Sequence, residues 1–370
     1  MLTGRNGPTS ILPKSTTKES ISNEPSHIKP FVLGCTCSAA ASSRFTSAYQ
    51  WTVGPYKGES RGERHLSSVR MVVSEGISTK PIEIRNVVVV GTGLMGTGVA
   101  QVALTAGYNV SLVGRVQEKC DASRAKILGG LIKIAKKKYA NDDKAQNDYL
   151  DSNMGRLTLT TDVFSVLANC DVFIEAIVEN LKVKQKLFAD IEGVISEDCI
   201  MVTNTSSFLL KDVSSKIQRK HNFAGLHFFN PVPAMKLVEV IDGEETSPAV
   251  FIALHNFCKT LLKTPVRCED TPGFIVNHLL IPYLLEAMRM AERGDATRAD
   301  IDTAMKLGAS HPMGPFELSD YIGLDTMKFV IDGWHTRFPD DPRYVPSESL
   351  DLLVANGKFG RKTGEGFFKY

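Results

Sequence analysis

Val87 to Gly98 read VVVVGTGLMGTG, and the apolar run VAQVALTAG follows at once. Four β-branched residues predict a buried strand, the glycines a tight turn, and the apolar spacing beyond them a helix. Gly91, Gly93 and Gly96 carry the G-x-G-x-x-G spacing. In a strand–turn–helix context the first glycine permits the sharp turn, the second lets backbone N–H groups approach a pyrophosphate, and the third lets helix and strand pack closely. The phosphates then sit at the positive end of the helix dipole. These residues predict a dinucleotide-binding unit.

Outward from this turn the pattern alternates. Tyr108 to Val113 reads as a second strand and Glu118 to Tyr139 as a long basic helix. Leu157 to Thr160, Asp171 to Glu175 and Cys199 to Thr203 read as further strands, with a helix over Leu181 to Ile191. Strands alternating with helices predict a doubly wound α/β fold of Rossmann type, a parallel sheet with helices on both faces. Phe223 to Phe229 and Met235 to Ile241 predict a hairpin or bent strand pair across the turn Asn230-Pro231-Val232-Pro233. After Ser247 the pattern is almost wholly helical, over 248–262, 273–292, 298–307, 314–332 and 347–355. The expected organisation is a leader over 1–80, a dinucleotide-binding domain over 81–270 and an all-α C-terminal domain over 271–370. The helix Phe274 to Ala291 reads as apolar almost all round, so it needs cover on every side, from a buried position or from a homodimer interface.

Composition narrows the function classes. A formal net charge of +2 over 370 residues offers no global field for nucleic acid. The longest apolar run, Leu279 to Leu285, is too short to span a bilayer and contains Pro282. Seven scattered cysteines suit reduced thiols in the cytosol, the mitochondrial matrix or a peroxisome, and Cys35-x-Cys37 has no second pair with which to bind a metal. No metal site is expected. Residues 1–80 are rich in Ser, Thr, Gly and Pro, and His27 to Lys57 lacks acidic residues while carrying Lys29, Arg44 and Lys57. That composition suits a mitochondrial transit peptide, although Glu19 and Glu24 fit it less well; an unprocessed tail or a start at Met71 is the alternative.

Ligands of such a fold bind outside the carboxyl ends of the parallel strands. Those ends are Gly91, Val113, Glu175 and Thr203, and the last runs into the polar cluster Thr203-Asn204-Thr205-Ser206-Ser207. Its hydroxyls are placed to hold a substrate oxygen; Ser207 could equally cap the next helix. His227 and Glu239 each interrupt an apolar strand, GLHFF and KLVEV, and the turn between them can bring the pair together. A carboxylate behind an imidazole fixes its tautomer and favours its protonated form, as a base for a hydroxyl proton requires. Spacing alone leaves a satisfied core histidine equally open.

The run LHFFNPVPAMKLVEV, with NTSS upstream and DTPGFIVNHLLIPYLLEA, GDAT, IDTAMKLGASHPMGPFELSDYIGLDT and TGEGFFKY downstream, resembles the short-chain L-3-hydroxyacyl-CoA dehydrogenases of fatty-acid β-oxidation. The resemblance extends from about Ile84 to Tyr370. It implies His227 as catalytic base with Glu239 as partner, Ser206 and Asn277 on the substrate, and Lys136 and Lys137 near the coenzyme A phosphates. It also implies that Glu179 and Lys184 approach the cofactor. With Gly91, Gly93, Leu94, Met95, Gly96, Gly114, Arg115, Ser206 and Asn230, they make the expected cofactor set. Lys136 and Lys137 could equally be a solvated helix face.

One position departs from the pattern. The second strand of an NAD-binding fold ordinarily ends in an acid that bonds the ribose hydroxyls, and an arginine nearby accommodates the 2′-phosphate of NADP. Relatives of this chain have Asp there, but here Gly114 is followed by Arg115. NAD is expected from the rest of the site, and the substitution admits NADP. The resemblance implies an acyl-CoA thioester substrate and a homodimer; λ-crystallin-like relatives leave a gulonate-type hydroxy-acid dehydrogenase or a structural cofactor-binding protein as alternatives.

Overall fold

A computed structural model describes residues 82–370. The expected leader and the Cys35-x-Cys37 pair lie outside the described residues. Strands β1 (Asn86–Val90), β2 (Asn109–Val113), β3 (Leu157–Thr160), β4 (Val172–Glu175), β5 (Ile200–Thr203), β6 (Phe223–Phe228), β7 (Leu237–Asp242) and β8 (Thr264–Glu269) form one sheet in the order β3-β2-β1-β4-β5-β6-β7-β8. The first six are parallel; β7 pairs antiparallel with β6 and parallel with β8. Helices α1 (Leu94–Thr105), α2 (Gln117–Lys138), α3 (Asp143–Met154), α4 (Leu181–Glu192), the single turn α5 (Leu210–Val213) and α6 (Pro248–Thr260) connect them.

The valine run of β1 follows from burial on both faces. Val87 and Val89 belong to the core shared with α1, α2 and α6, whereas Val88 points into the opposite core with Phe173, Phe188 and Met201. A third core belongs to α7 (Val276–Glu292), α8 (Arg298–Gly308), α9 (Pro315–Ile322), α10 (Leu324–Arg337) and α11 (Glu348–Ala355).

Three expectations change, and one helix is new. The segment after Ser247 is not purely helical, because β8 adds an edge strand; only Cys268 of its six residues is buried, so the apolar alternation that marks a strand is missing. The helix expected over 314–332 is two helices, broken at Gly323, whose φ of 103° lies outside any helix. The α7 helix is not buried all round: Ile281, Leu284, Leu285 and Met288 face the core while Leu279 remains 68% exposed. Finally, α3 was not foreseen; its polar sequence buries only Asn153, and its start is fixed by the Asp142 side chain accepting from Ala145 N–H.

Candidate active site

Strand register aligns the carboxyl ends. Val90 pairs with Val113 on one side and Glu175 on the other, Glu175 pairs with Thr203, and Thr203 with Gly225. Everything that leaves these ends, together with the start of antiparallel β7, lies along one edge of the sheet.

Beyond β1, Gly91 has φ 125°, and a Cβ there would lie 2.2 Å from Ala176 O. One on Gly96 would lie 1.9 Å from Gly91 O, whereas one on Gly93 would meet nothing within 4 Å. Two glycines thus let turn, strand and helix pack, and the third leaves an open backbone face. Gly93 is the N-cap of α1, and no side chain caps the first amides. Open N–H groups at a helix N-terminus fit a pyrophosphate. Leu94 is 68% exposed and Met95 half-buried beside this turn. Gly114 and the exposed Arg115 follow β2.

His227 and Glu239 are direct cross-strand partners in the β6–β7 register. His227 Nδ1 lies 2.6 Å from Glu239 Oε2 and Nε2 lies 3.0 Å from Ser206 Oγ. With the carboxylate accepting from Nδ1–H, Nε2 carries the lone pair and faces the half-buried Ser206. His227 is 4% exposed and Glu239 fully buried, so the pair works in a low-dielectric setting. The rings of Phe229 and Phe274 pack on the imidazole with centroids 4.5 and 5.6 Å away. The other oxygen of Glu239 accepts from Ile275 N–H (3.1 Å) and Val276 N–H (2.8 Å), capping α7. Asn277, half-buried, is the next residue of that first turn.

The Thr205–Ser207 loop is held from below. Glu179 Oε1 accepts from the Thr205 hydroxyl, from Ser206 N–H (3.2 Å), and from Ser207 N–H (3.2 Å) and Oγ (2.7 Å). Its Oε2 is 3.0 Å from Lys184 Nζ. Burial opposes ionisation of Glu179, but the Lys184 ammonium and the Thr205 and Ser207 hydroxyls outweigh it and hold the carboxyl below its ordinary value. Ser207 therefore does not cap the next helix; Asp270 does, accepting from Leu210 N–H (2.7 Å) and Lys211 N–H (3.0 Å).

Ser206, His227, Glu239, Glu179 and Lys184 thus form one connected cluster. Asn230 is exposed in the turn after Phe229, a turn pinned by the buried Lys263 ammonium on the carbonyls of Val232 and Met235. Lys136 and Lys137 are exposed on the last turn of α2, and no hydrogen bond or ion pair among the described residues joins them to the His227 cluster. Two residues that the sequence places at the ligand edge, Glu175 and Asn204, have supporting roles it did not assign. Glu175, fully buried, accepts from Lys184 Nζ (2.6 Å), Thr203 Oγ1 (2.7 Å) and Ile177 N–H (2.8 Å), and Asn204 Oδ1 accepts from Phe228 N–H (2.9 Å). A carboxylate closing an apolar strand at the ligand edge was the available signal for Glu175.

Comparison with known proteins finds the description "3-hydroxyacyl-CoA dehydrogenase, NAD binding domain" over residues 86–271 and "3-hydroxyacyl-CoA dehydrogenase, C-terminal domain" over 273–370. The mitochondrial hydroxyacyl-coenzyme A dehydrogenase of Rattus norvegicus is 52% identical over 291 residues, covering 79% of this chain and 93% of the relative. That of Homo sapiens is 50% identical, covering 82% and 97%. Among solved structures, the (S)-3-hydroxybutyryl-CoA dehydrogenase of Ralstonia eutropha matches with a TM-score of 0.73 at 38% identity, covering 78% of this chain and 99% of that one. These relatives favour a hydroxyacyl-CoA dehydrogenase over the gulonate-type and structural alternatives. Matched through both its glycine-turn domain and its helical domain, the chain belongs to the 3-hydroxyacyl-CoA dehydrogenase family, whose members are NAD-dependent oxidoreductases.

Proposed function

We propose that this chain oxidises (3S)-3-hydroxyacyl-CoA to 3-oxoacyl-CoA with His227 as the base. The observation that carries the reading is the Glu239–His227–Ser206 line, at 2.6 and 3.0 Å, on the same sheet edge as the glycine turn. Gly91, Gly93, Leu94, Met95 and Gly96 would hold the pyrophosphate side of the dinucleotide, with Gly114 and Arg115 toward its adenosine ribose and Glu179, Lys184, Ser206 and Asn230 toward the nicotinamide. NAD, when bound, supplies the acceptor for the hydride that leaves C3.

His227 Nε2 takes the C3 hydroxyl proton as the C3–H electron pair departs, leaving a C3 carbonyl. Glu239 steadies the imidazolium, which needs a buried counter-charge in a site this dry. Ser206 donates to the reacting oxygen, Asn277 orients the thioester, and Lys136 and Lys137 meet the coenzyme A phosphates. In the reverse direction the imidazolium returns its proton to the forming alkoxide. NAD is the coenzyme, and Gly114 in place of the usual acid also admits NADP.

Reduction of acetoacetyl-CoA, followed by NADH absorbance, tests the assignment. His227→Ala should lower kcat by about 10²- to 10⁴-fold with the fold retained by circular dichroism. Substantial residual turnover removes the histidine from this role.

Two further readings concern the setting. The matrix of the mitochondrion suits the acid-poor stretch from His27 to Lys57 and the mitochondrial names of the mammalian relatives. A fusion of residues 1–80 to a fluorescent protein should colocalise with mitochondria; diffuse signal would refute the transit-peptide reading. The protomers pair as a homodimer.

A further inference from the structure

Gly114, just past β2, is buried, and its N–H donates to Thr160 O at 3.0 Å. It is not among the glycines with positive φ, so its backbone would accept any residue. What forbids a side chain is space. A Cβ on Gly114 would lie 2.6 Å from Cys120 Sγ and 2.8 Å from Thr92 Cγ2.

Neither neighbour is free to leave. Thr92 is β-branched and therefore stiff, and its carbonyl accepts from Ser123 Oγ (3.2 Å) and Thr97 Oγ1 (3.4 Å), both on buried residues. Cys120 is fully buried, with its thiol 3.6 Å from Thr160 O. Thr92 is the second residue of the glycine turn itself, so the turn that cradles the pyrophosphate also walls off the end of β2.

We infer that Thr92, backed by Cys120, determines coenzyme discrimination in this chain by closing the position from which an acidic side chain would reach the adenosine ribose. A carboxylate there does two things: it accepts from the ribose hydroxyls and it repels a 2′-phosphate. With the position closed, neither operates, and the exposed Arg115 guanidinium stands next along the chain as a partner for that phosphate. The acids of the adjoining helical turns, Glu118 and Asp121, are exposed, and Asp121 is engaged by Gln117 at 2.9 Å. The inference rests on the dinucleotide reading of the Gly91–Gly96 turn and names the residue that tunes it.

The test uses adenosine 2′,5′-bisphosphate and 5′-AMP as probes, titrated calorimetrically into the full chain. The wild type should bind the two within about tenfold of each other, and Arg115→Gln should lower the bisphosphate to 5′-AMP affinity ratio by about tenfold or more, the worth of one charge-assisted contact. Gly114→Asp alone should lower the melting temperature without favouring 5′-AMP. Adding Thr92→Gly and Cys120→Ala should recover the melting temperature and shift preference to 5′-AMP by about tenfold or more. The inference is overturned if the wild type favours 5′-AMP beyond tenfold, or if Gly114→Asp alone is as stable and as selective as the triple variant. Acetoacetyl-CoA turnover with NADH, run in parallel on the wild type, separates the two readings. Its persistence leaves the dehydrogenase reading standing whatever the probes show, and its absence is the failure of that reading.

Discussion

Lys184 is 1% exposed and carries two carboxylates, Glu175 at 2.6 Å and Glu179 at 3.0 Å. A buried cation of this kind contributes less through net attraction than through the damage its loss would do. Lys184→Met would leave the fully buried Glu175 with only Thr203 Oγ1 and Ile177 N–H, an uncompensated charge costing about 3–5 kcal/mol. The denaturation midpoint should fall accordingly, and Lys184→Met/Glu175→Gln should regain most of the loss, since a neutral amide tolerates burial where a lone carboxylate does not. A double variant as unstable as the single would show that Lys184 packs rather than neutralises. His227 and Glu239 were visible in the sequence because each is a polar interruption of an apolar strand. Glu175 hid at a strand end, where a charge looks like the sheet's rim, and its partner on α4 is nine residues away across a loop.

At the scale of elements, the decisive junction is the one between β7 and α7. No side chain of its own caps α7; the cap is Glu239, reaching Ile275 and Val276 from 36 and 37 residues upstream. One carboxylate thus orients the imidazole and starts the helix that bears Asn277, which separates two substitutions. Glu239→Gln keeps an oxygen for the α7 amides but turns a donor toward Nδ1, forcing the tautomer in which Nε2 bears the proton. It should lower kcat by about 10²-fold or more with little change in melting temperature. Glu239→Ala should lose the cap as well, about 0.5–2 kcal/mol, and so lower both. Equal melting temperatures for the two variants would refute the capping role. This junction explains the pattern of legibility. Strands β1, β4, β5 and β6 were readable because burial on both faces gives each a nearly continuous apolar run, whereas β3 buries only Leu157, the start of α7 depends on a distant acid and β8 has a single buried side chain.

The whole molecule is organised around a joint. Gly273 has φ 75°, and a Cβ on it would lie 2.4 Å from the Trp334 ring, while Phe274 beside it enters the core behind β4 and β5 and packs on His227. Arg337 on α10 and Asp212 on α5, 2.5 Å apart, tie the two lobes again farther out. Large apolar side chains stay exposed on both lobes, Leu94 and Leu262 at 68% and 87% on the Rossmann lobe. Leu279, Leu307, Phe329 and Leu352 are 68%, 80%, 57% and 66% exposed. Single exposed apolar residues are ordinary on a protein surface, and the proposed homodimer would cover those of the helical lobe that share one face. Closed two-fold pairing is the commonest answer for a soluble chain, because one self-complementary patch then covers both copies. The sequence reads α7 as apolar almost all round, whereas α7 buries one face against its neighbours and leaves Leu279 out. Sedimentation velocity at micromolar concentration should therefore give twice the chain mass, in high salt as in low, because apolar burial rather than ion pairing would hold the copies together. A species of single-chain mass would refute the dimer, and one that dissociates only as salt is raised would assign the contact to charges instead.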